Sequence, residues 1–580
     1  MIGQKIKGLF GNGGSAQAKN VDLLKLAPTR DERLFLVLSI FIGVISGLLV
    51  VSFRVAIEWI KILTLGSAPH PGQYRLLLAP SIAGLIVAAL VLWFFPAARG
   101  SGVNQTKAAL YIYNGYISFK TVIGKFVTSA LAIGAGHSLG PEDPSLQIGA
   151  GVASIIARKL GLSKQKLRVF APIGAAAGLA AAFNAPISAI LFVIEEVIGQ
   201  WSASVLGSIV LAAISSVVVE RRFMGSEPIF RIPTVTLRDN RELIAYAALG
   251  VIGGLIAFVF SQALGYLRPK LRALPRWSHY LQPAVAGLMV GLIGFFGFPQ
   301  VMGPGYEVMD QAMHGQFAWK FLLALALFKL LATTLSFSSG TPGGMFAPTM
   351  FIGAMLGAGV GSFEKLFFPH LTGTVGAYAL VGMGVLFAGF LRAPLTSVFM
   401  VLELSGNYSI ILPVILANTI AYLLARALQP VPIFEVFTHQ DGLDLPSLEE
   451  QREEVPLHIE DALQPLSVPV VHGRDTIANV SAAIASASVS AFLIQMPDSS
   501  WYAMTMDELT GASAALTPET PVERAAKQDR VPVLFPDLPL DSTLPYFPRW
   551  PLLPVLNRAS RGTLEGMITL NGVLKRYQSV

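Results

Sequence analysis

Residues 140–150 read GPEDPSLQIGA and residues 344–354 read GMFAPTMFIGA, and the pairing of these two stretches decides the fold. Each opens on a glycine, sets a proline four residues later and runs on into an apolar segment. Two further pairs follow the same order. Gly100–Ser101–Gly102 recurs as Gly303–Pro304–Gly305, and NAPISAILFVIEE (184–196) recurs as RAPLTSVFMVLEL (392–404). The offsets are 203, 204 and 208. Three landmarks in one order at near-constant spacing mark two homologous halves, 31–220 and 240–435. Such duplication characterises transporters, whose substrate sites lie between the repeats on discontinuous helices. Spacing alone does not say whether the halves are inverted.

Composition places these repeats in a membrane. Of 580 residues, 53% are hydrophobic and 13% charged, and the mean hydropathy is +0.60, too apolar for a solvated surface. A bilayer span needs about 20 apolar residues. Stretches without Asp, Glu, Lys or Arg run over 34–53, 76–98, 169–194, 197–219, 243–267, 277–306, 331–363 and 404–425. Several carry Pro, Gly or Asn in mid-run, among them Pro80, Pro172, Asn184 and Pro186. Backbone groups freed by such breaks are tolerated at membrane depth only where protein or a polar cavity satisfies them. The net charge of +7 reflects basic loops such as 158–168 and 268–276 rather than a nucleic-acid surface. Lys5, Lys7, Lys19, Lys25, Arg30 and Arg33 make residues 1–30 a cytoplasmic segment by the positive-inside rule. The chain has no cysteine, which excludes disulfides and thiolate metal sites.

Glycine-rich breaks ahead of helices expose backbone N–H groups at the positive end of the dipole, where an anion is favoured. Gly100–Val103, Gly140–Pro144, Gly303–Gly305 and Gly344–Pro348 all fit. Close packing through small residues is the commoner use of membrane glycines, and the duplicated set favours the anion reading. Glu142 lies inside the second break, opposite Phe346 in the repeat; an ionised carboxylate there competes with an anion for the same donors. Glu195 has a repeat partner in Glu403, which suggests a shared structural role. Glu196 matches Leu404, an asymmetry that points to a proton path, although a pair of acids at a wet helix end would read the same. Gly136–Gly140 also matches G-x-S-x-G, the serine-hydrolase elbow, which needs a soluble strand-turn-helix. A membrane hydrolase is therefore the remote alternative.

GSGVN (100–104), GPEDP (140–144) and GGMFAP (343–348) together resemble motifs of the CLC family of chloride channels and chloride/proton antiporters. The resemblance covers about residues 30–435. It implies an all-α polytopic membrane fold with an inverted repeat, in which Ser101 and Gly102 with the amides of Met345 and Phe346 hold the anion. It further implies that Glu142 is the gating glutamate, that Glu142 and Glu196 transfer protons, and that Lys125 supports the gate. The family's central-site tyrosine falls on Phe434, which has no hydroxyl. Asn104 replaces the motif proline, and Pro141 and Asp143 replace Arg and Gly. Ser101 favours chloride over nitrate and argues against the fluoride branch.

The expected function is chloride transport coupled to protons as antiport, with a passive voltage- or pH-gated chloride channel as the alternative. No cofactor is expected, chloride being the transported ion. The expected partners are chloride, protons, the lipid bilayer and a second copy in a homodimer, with no nucleic acid. The expected location is a bacterial inner (plasma) membrane with both termini cytoplasmic. Residues 436–580 change character, with charged clusters such as 448–454 and short alternating runs that suit an α/β region. AFLIQMPDSSWYAMTMDEL and LLPVLNRASRGTLEGMITLNGVL share a strand, loop, strand, threonine pattern with Thr505 and Thr569 as matching points. Two ordinary hairpins would give the same pattern. The tail resembles the paired CBS domains that many members append. Whether it binds a nucleotide is left open, and no phosphate-binding loop is evident in it.

Overall fold

The computed structural model describes residues 30–67, 69–199, 203–230, 240–370, 373–443, 445, 457–463, 470–487, 491–526, 529–558 and 563–578. Residues 1–29 and the charged cluster 448–454 lie outside them. The chain divides into two compact units, 1–451 and 452–580.

The described part of the first unit is helical. Its first half comprises α1 (Arg30–Thr64), α2 (Tyr74–Ala89), α3 (Val103–Tyr111), α4 (Phe119–Gly134), α5 (Glu142–Lys159), α6 (Lys164–Phe183), α7 (Pro186–Phe192) and α8 (Ala203–Met224). The second half repeats the order in α9 (Glu242–Arg272), α10 (Ser278–Phe295), α11 (Tyr306–Met313), α12 (Trp319–Ser338), α13 (Phe346–Phe367), α14 (Val375–Leu391), α15 (Pro394–Ser405) and α16 (Ile411–Leu428). Packing repeats with it: α1 on α8 and α5 on α6 are matched by α9 on α16 and α13 on α14. Seven helical stretches among the described residues are long and apolar enough to cross a membrane. Leu63, Ile244 and Leu412 stand outward from them, as lipid-facing side chains should.

The charge-free stretches are not all single helices. The run 169–194 breaks between α6 and α7, where Asn184 adopts φ 53° and Pro186 starts the next helix; Arg392 at φ 62° and Pro394 do the same between α14 and α15. A left-handed residue followed by X-Pro ends a helix whatever its hydropathy. Counting charges also passes over α4 and cuts α12 short at residue 331, because each carries a buried lysine. The helix α17 (Ile433–Gln440) extends the membrane unit beyond residue 435, packing on α9 and α3, with Asp441 Oδ1 accepting from Arg268 at 2.7 Å.

A two-fold relation joins the halves. The helices α2 and α10 cross so closely that a Cβ on Gly84 would stand 2.4 Å from the Pro283 carbonyl oxygen, and one on Gly287 2.3 Å from that of Pro80. Small residues permit this backbone approach, which in lipid must come from packing rather than from water exclusion. The two breaks pair likewise: the Gly140 N–H donates to the Gly344 carbonyl at 2.8 Å and the Gly344 N–H to the Gly140 carbonyl at 2.7 Å.

The tail is duplicated too. Its first half runs β1 (Val471–His472), α18 (Ile477–Ala487), β2 (Ala491–Gln495), β3 (Trp501–Thr505) and α19 (Met506–Ala515); its second runs β4 (Leu552–Leu556), β5 (Leu564–Thr569) and α20 (Leu570–Gln578). In each, an antiparallel hairpin leads to a helix, and a preceding segment joins the hairpin in parallel: β1 on β2, and Leu534 on Val555. The threonines close the pattern, Thr505 Oγ1 accepting from the Glu508 N–H at 3.3 Å and Thr569 Oγ1 from the Gly572 N–H at 3.1 Å. Such caps satisfy first-turn donors that have no partner within the helix. The halves also exchange segments. Ile459 N–H donates to Leu538 O (2.9 Å) and Leu540 N–H to Leu457 O (2.7 Å), while Val522 N–H donates to Asp475 O (2.8 Å) and Ile477 N–H to Thr520 O (3.0 Å). These bonds match at one constant interval, so two repeats, not two unrelated hairpins, build the tail.

Candidate functional site

The paired glycines at 140 and 344 bring the starts of α5 and α13 together in the middle of the first unit. On each side a wholly buried lysine fastens the neighbouring break. Lys125 Nζ donates to the carbonyls of Ala98 (2.9 Å) and Gly100 (2.6 Å). Lys329 Nζ donates to those of Val301 (2.9 Å) and Gly303 (2.6 Å). The sequence reading singled out Lys125 and missed Lys329, although the repeat offset alone would have found it. Each ammonium satisfies two carbonyls of the segment just ahead of the next helix, α3 for Lys125 and α11 for Lys329. Removing either amine strands two buried acceptors, each costing about 1–3 kcal/mol. Lys329→Met and Lys125→Met are therefore expected to lower the thermal midpoint of the purified protein to a similar degree. A Lys329→Met midpoint equal to the wild type would refute the paired role.

Ser101 is 4% exposed, and its Oγ accepts from the Val103 N–H at 3.3 Å, capping α3. Gly102 takes φ +122°, and a Cβ there would stand 2.7 Å from the Asp143 carbonyl oxygen, so only glycine serves. The Gly102 N–H, expected to face the anion, donates instead to Gln105 Oε1 at 3.0 Å. Phe434 is wholly buried, its ring edge-on to Phe346 with centroids 6.5 Å apart. Asn104, at the motif's proline position, fixes it by donating from Nδ2 to the Phe434 carbonyl at 2.9 Å. Phe183, Phe192 and Phe387 also surround the Phe346 ring. The structure thus brings Ser101, Met345, Phe346 and Phe434 into one region, with an apolar wall where a tyrosine hydroxyl would stand.

Glu142 and Asp143 both lie fully buried at the first turn of α5. Glu142 Oε2 accepts from the Ala347 N–H at 3.3 Å, and Asp143 Oδ2 from the Met345 N–H at 3.0 Å. Carboxylates therefore sit on the N-terminal donors of α13, where a small anion would bind. Glu142 Oε1 has no hydrogen-bond partner.

Glu195 and Glu403 divide from Glu196 as their repeat positions suggest. Glu195 accepts from the N–H groups of Leu395 (3.1 Å) and Thr396 (2.9 Å) at the start of α15. Glu403 accepts from those of Ile187 (2.9 Å) and Ser188 (2.7 Å) at the start of α7. These are reciprocal helix caps. Glu196 shares the π-helical turn Val193–Ile198 with Glu195 but takes a different partner, and such a distortion is frequent at functional positions. Its Oε1 is paired with Lys107 Nζ at 2.8 Å, the side chains 2% and 7% exposed. Lys107 escaped the sequence reading because its partner lies on another helix.

The G-x-S-x-G serine is no nucleophile elbow. Ser138 is buried between α4 and α5, its hydroxyl 3.0 Å from that of Thr333 on α12. Strand-turn-helix geometry is absent from that junction.

The chain belongs to the voltage gated chloride channel family, whose sequence model matches residues 83–426. This is a family of ion transporters and channels, not of enzymes. Among its relatives is the H(+)/Cl(-) exchange transporter ClcA of Citrobacter koseri, 31% identical over 426 residues, which are 71% of this chain and 90% of that protein. The ClcA of Salmonella arizonae is 31% identical over 410 residues, 69% of this chain and 87% of that one. A slow cyanobacterial Cl−/H+ antiporter superposes with a TM-score of 0.64 at 25% identity, over 72% of this chain and 99% of its own. A eukaryotic CLC transporter shares the fold, with a TM-score of 0.59 at 19% identity over 93% of this chain and 97% of its own.

Proposed function

We propose that this chain exchanges chloride for protons across a membrane, with Glu142 as the gating carboxylate and Glu196 as the proton acceptor on the other side. The observation that carries this is the Glu142 carboxylate on the Ala347 amide, at the junction of two broken helices. A halide only accepts hydrogen bonds, so it and an ionised Glu142 compete for the same donors. Protonation removes the carboxylate's charge and with it the strong charge-assisted bond, which lets the anion take its place. Return of the proton through Glu196 then ties each anion step to a proton step. Ser101 supplies a hydroxyl to the anion and Lys125 holds the break open beneath it.

The test is an imposed chloride gradient in liposomes carrying the purified full-length protein. Inward chloride flow is expected to drive protons outward, against no initial pH difference. Chloride flux with no proton movement would leave the passive channel, the second reading, which Phe434 favours by removing a hydroxyl from the anion's surroundings. We further propose a homodimer with one pathway per subunit, in a bacterial inner membrane with both termini cytoplasmic. The exchanged segments and repeated hairpin-helix units support reading residues 452–580 as a CBS-like pair.

A further inference from the structure

Asp143 has no part in the cycle above, yet its carboxylate holds the first N–H donors of α13, beside the one that Glu142 holds. The Met345 N–H donates to its Oδ2 at 3.0 Å, and the Phe346 N–H faces the same group. These are the two amides that the family resemblance implies hold the anion. Oδ1 has no hydrogen-bond partner and no exposure. Glu142 reaches one residue further along, to Ala347. Two adjacent carboxylates thus divide the first donors of α13 between them. We propose that Asp143 is a second gating carboxylate, which must release the Met345 and Phe346 amides before an anion binds there.

The physical case is competition at one set of donors. An ionised carboxylate holds N–H groups about twice as strongly as a neutral acceptor, and it repels an arriving halide. Rotation of Asp143 about its side chain, or its protonation, frees the amides. The charges that act on it are Lys125 from α4, which attracts, and Glu142 on its own helix, which repels. Lys329 of α12 and Arg54 of α1 act in turn on Glu142. The first turn of α13 brings only backbone donors and the side chains of Phe346, Ala347, Pro348 and Thr349. With glycine at this position there is no such competitor, and Glu142 alone would set the gate.

This inference rests on the exchange reading of Glu142, and the experiment separates the two. Chloride binding to the purified full-length protein is measured by titration calorimetry, and chloride efflux from liposomes is followed from acid to neutral pH. Wild type, Asp143→Gly, Asp143→Asn and Glu142→Gln are compared. Asp143→Gly is expected to bind chloride about tenfold more tightly at neutral pH, the worth of one charge-assisted bond. Its efflux should fall less as pH rises, and Asp143→Asn should shift both readouts in the same direction by less. Asp143 acting only as a cap for α13 would lower thermal stability and leave affinity and pH profile at the wild-type values; that result overturns the proposal even if Glu142→Gln alters both. Should Asp143→Gly not fold, an unchanged affinity and profile in Asp143→Asn would overturn it as well. Absence of chloride binding and flux in the wild type would overturn the exchange reading itself.

Discussion

In liposomes, Glu142→Gln carries chloride at a rate that depends less on pH than that of the wild type, and it moves no protons. Glutamine keeps the shape of the side chain at the start of α5 but removes the charge that competes for the Ala347 N–H. A neutral acceptor holds that donor by less, by about 1–2 kcal/mol on the usual difference between charged and neutral hydrogen bonds, so chloride should bind about five- to thirtyfold more tightly. Since an amide cannot take up the proton, the proton step is lost altogether rather than slowed. Chloride flux and acidification recorded on the same vesicles check both halves. Proton pumping that survives in Glu142→Gln would move the gate to another acid, and Asp143 would be the first to examine.

Glu196→Gln is expected to abolish proton coupling while chloride still flows, and to destabilise the protein. The second effect comes from Lys107, whose ammonium lies 2.8 Å from the Glu196 carboxylate with both side chains nearly inaccessible. Breaking a buried pair from one side leaves an uncompensated charge, at a cost of roughly 3–5 kcal/mol. A weak or absent signal from the single variant would then report lost protein as much as lost coupling. Lys107→Met combined with Glu196→Gln removes both charges. The double variant should regain a thermal midpoint near the wild type, carry chloride, and remain uncoupled. Proton movement by either variant would refute the route through Glu196, and a double variant no more stable than the single would refute the pairing as the cause.

Duplication was legible because it lies in one-dimensional spacing. The landmarks at 100, 140 and 184 returned at 303, 344 and 392, and with them came the breaks, Glu142, and the shared role of Glu195 and Glu403. Hydropathy likewise marked the membrane, but it joined α6 to α7, since Asn184 and Pro186 interrupt a helix without changing its apolarity. Counting charges overlooked α4 and shortened α12, because a lysine whose protons go to two carbonyls is tolerated where a free charge is not. Lys329 was within reach by carrying Lys125 across the repeat.

What the sequence determined by itself was the set of groups on hand: paired helix starts rich in unpartnered N–H donors, a serine, and acids placed asymmetrically among them. Only the tertiary structure decided which donor each acceptor holds. The Met345 amide goes to Asp143, the Gly102 amide to Gln105, and the Glu196 carboxylate to Lys107. The reason is that short-range spacing fixes backbone breaks and helix faces, whereas a buried hydrogen bond requires two groups to meet with the right separation and direction. For Asp143 and Met345 that meeting depends on the closing of one half of the chain upon the other, which brings Gly140 against Gly344 and sets the two helix starts face to face.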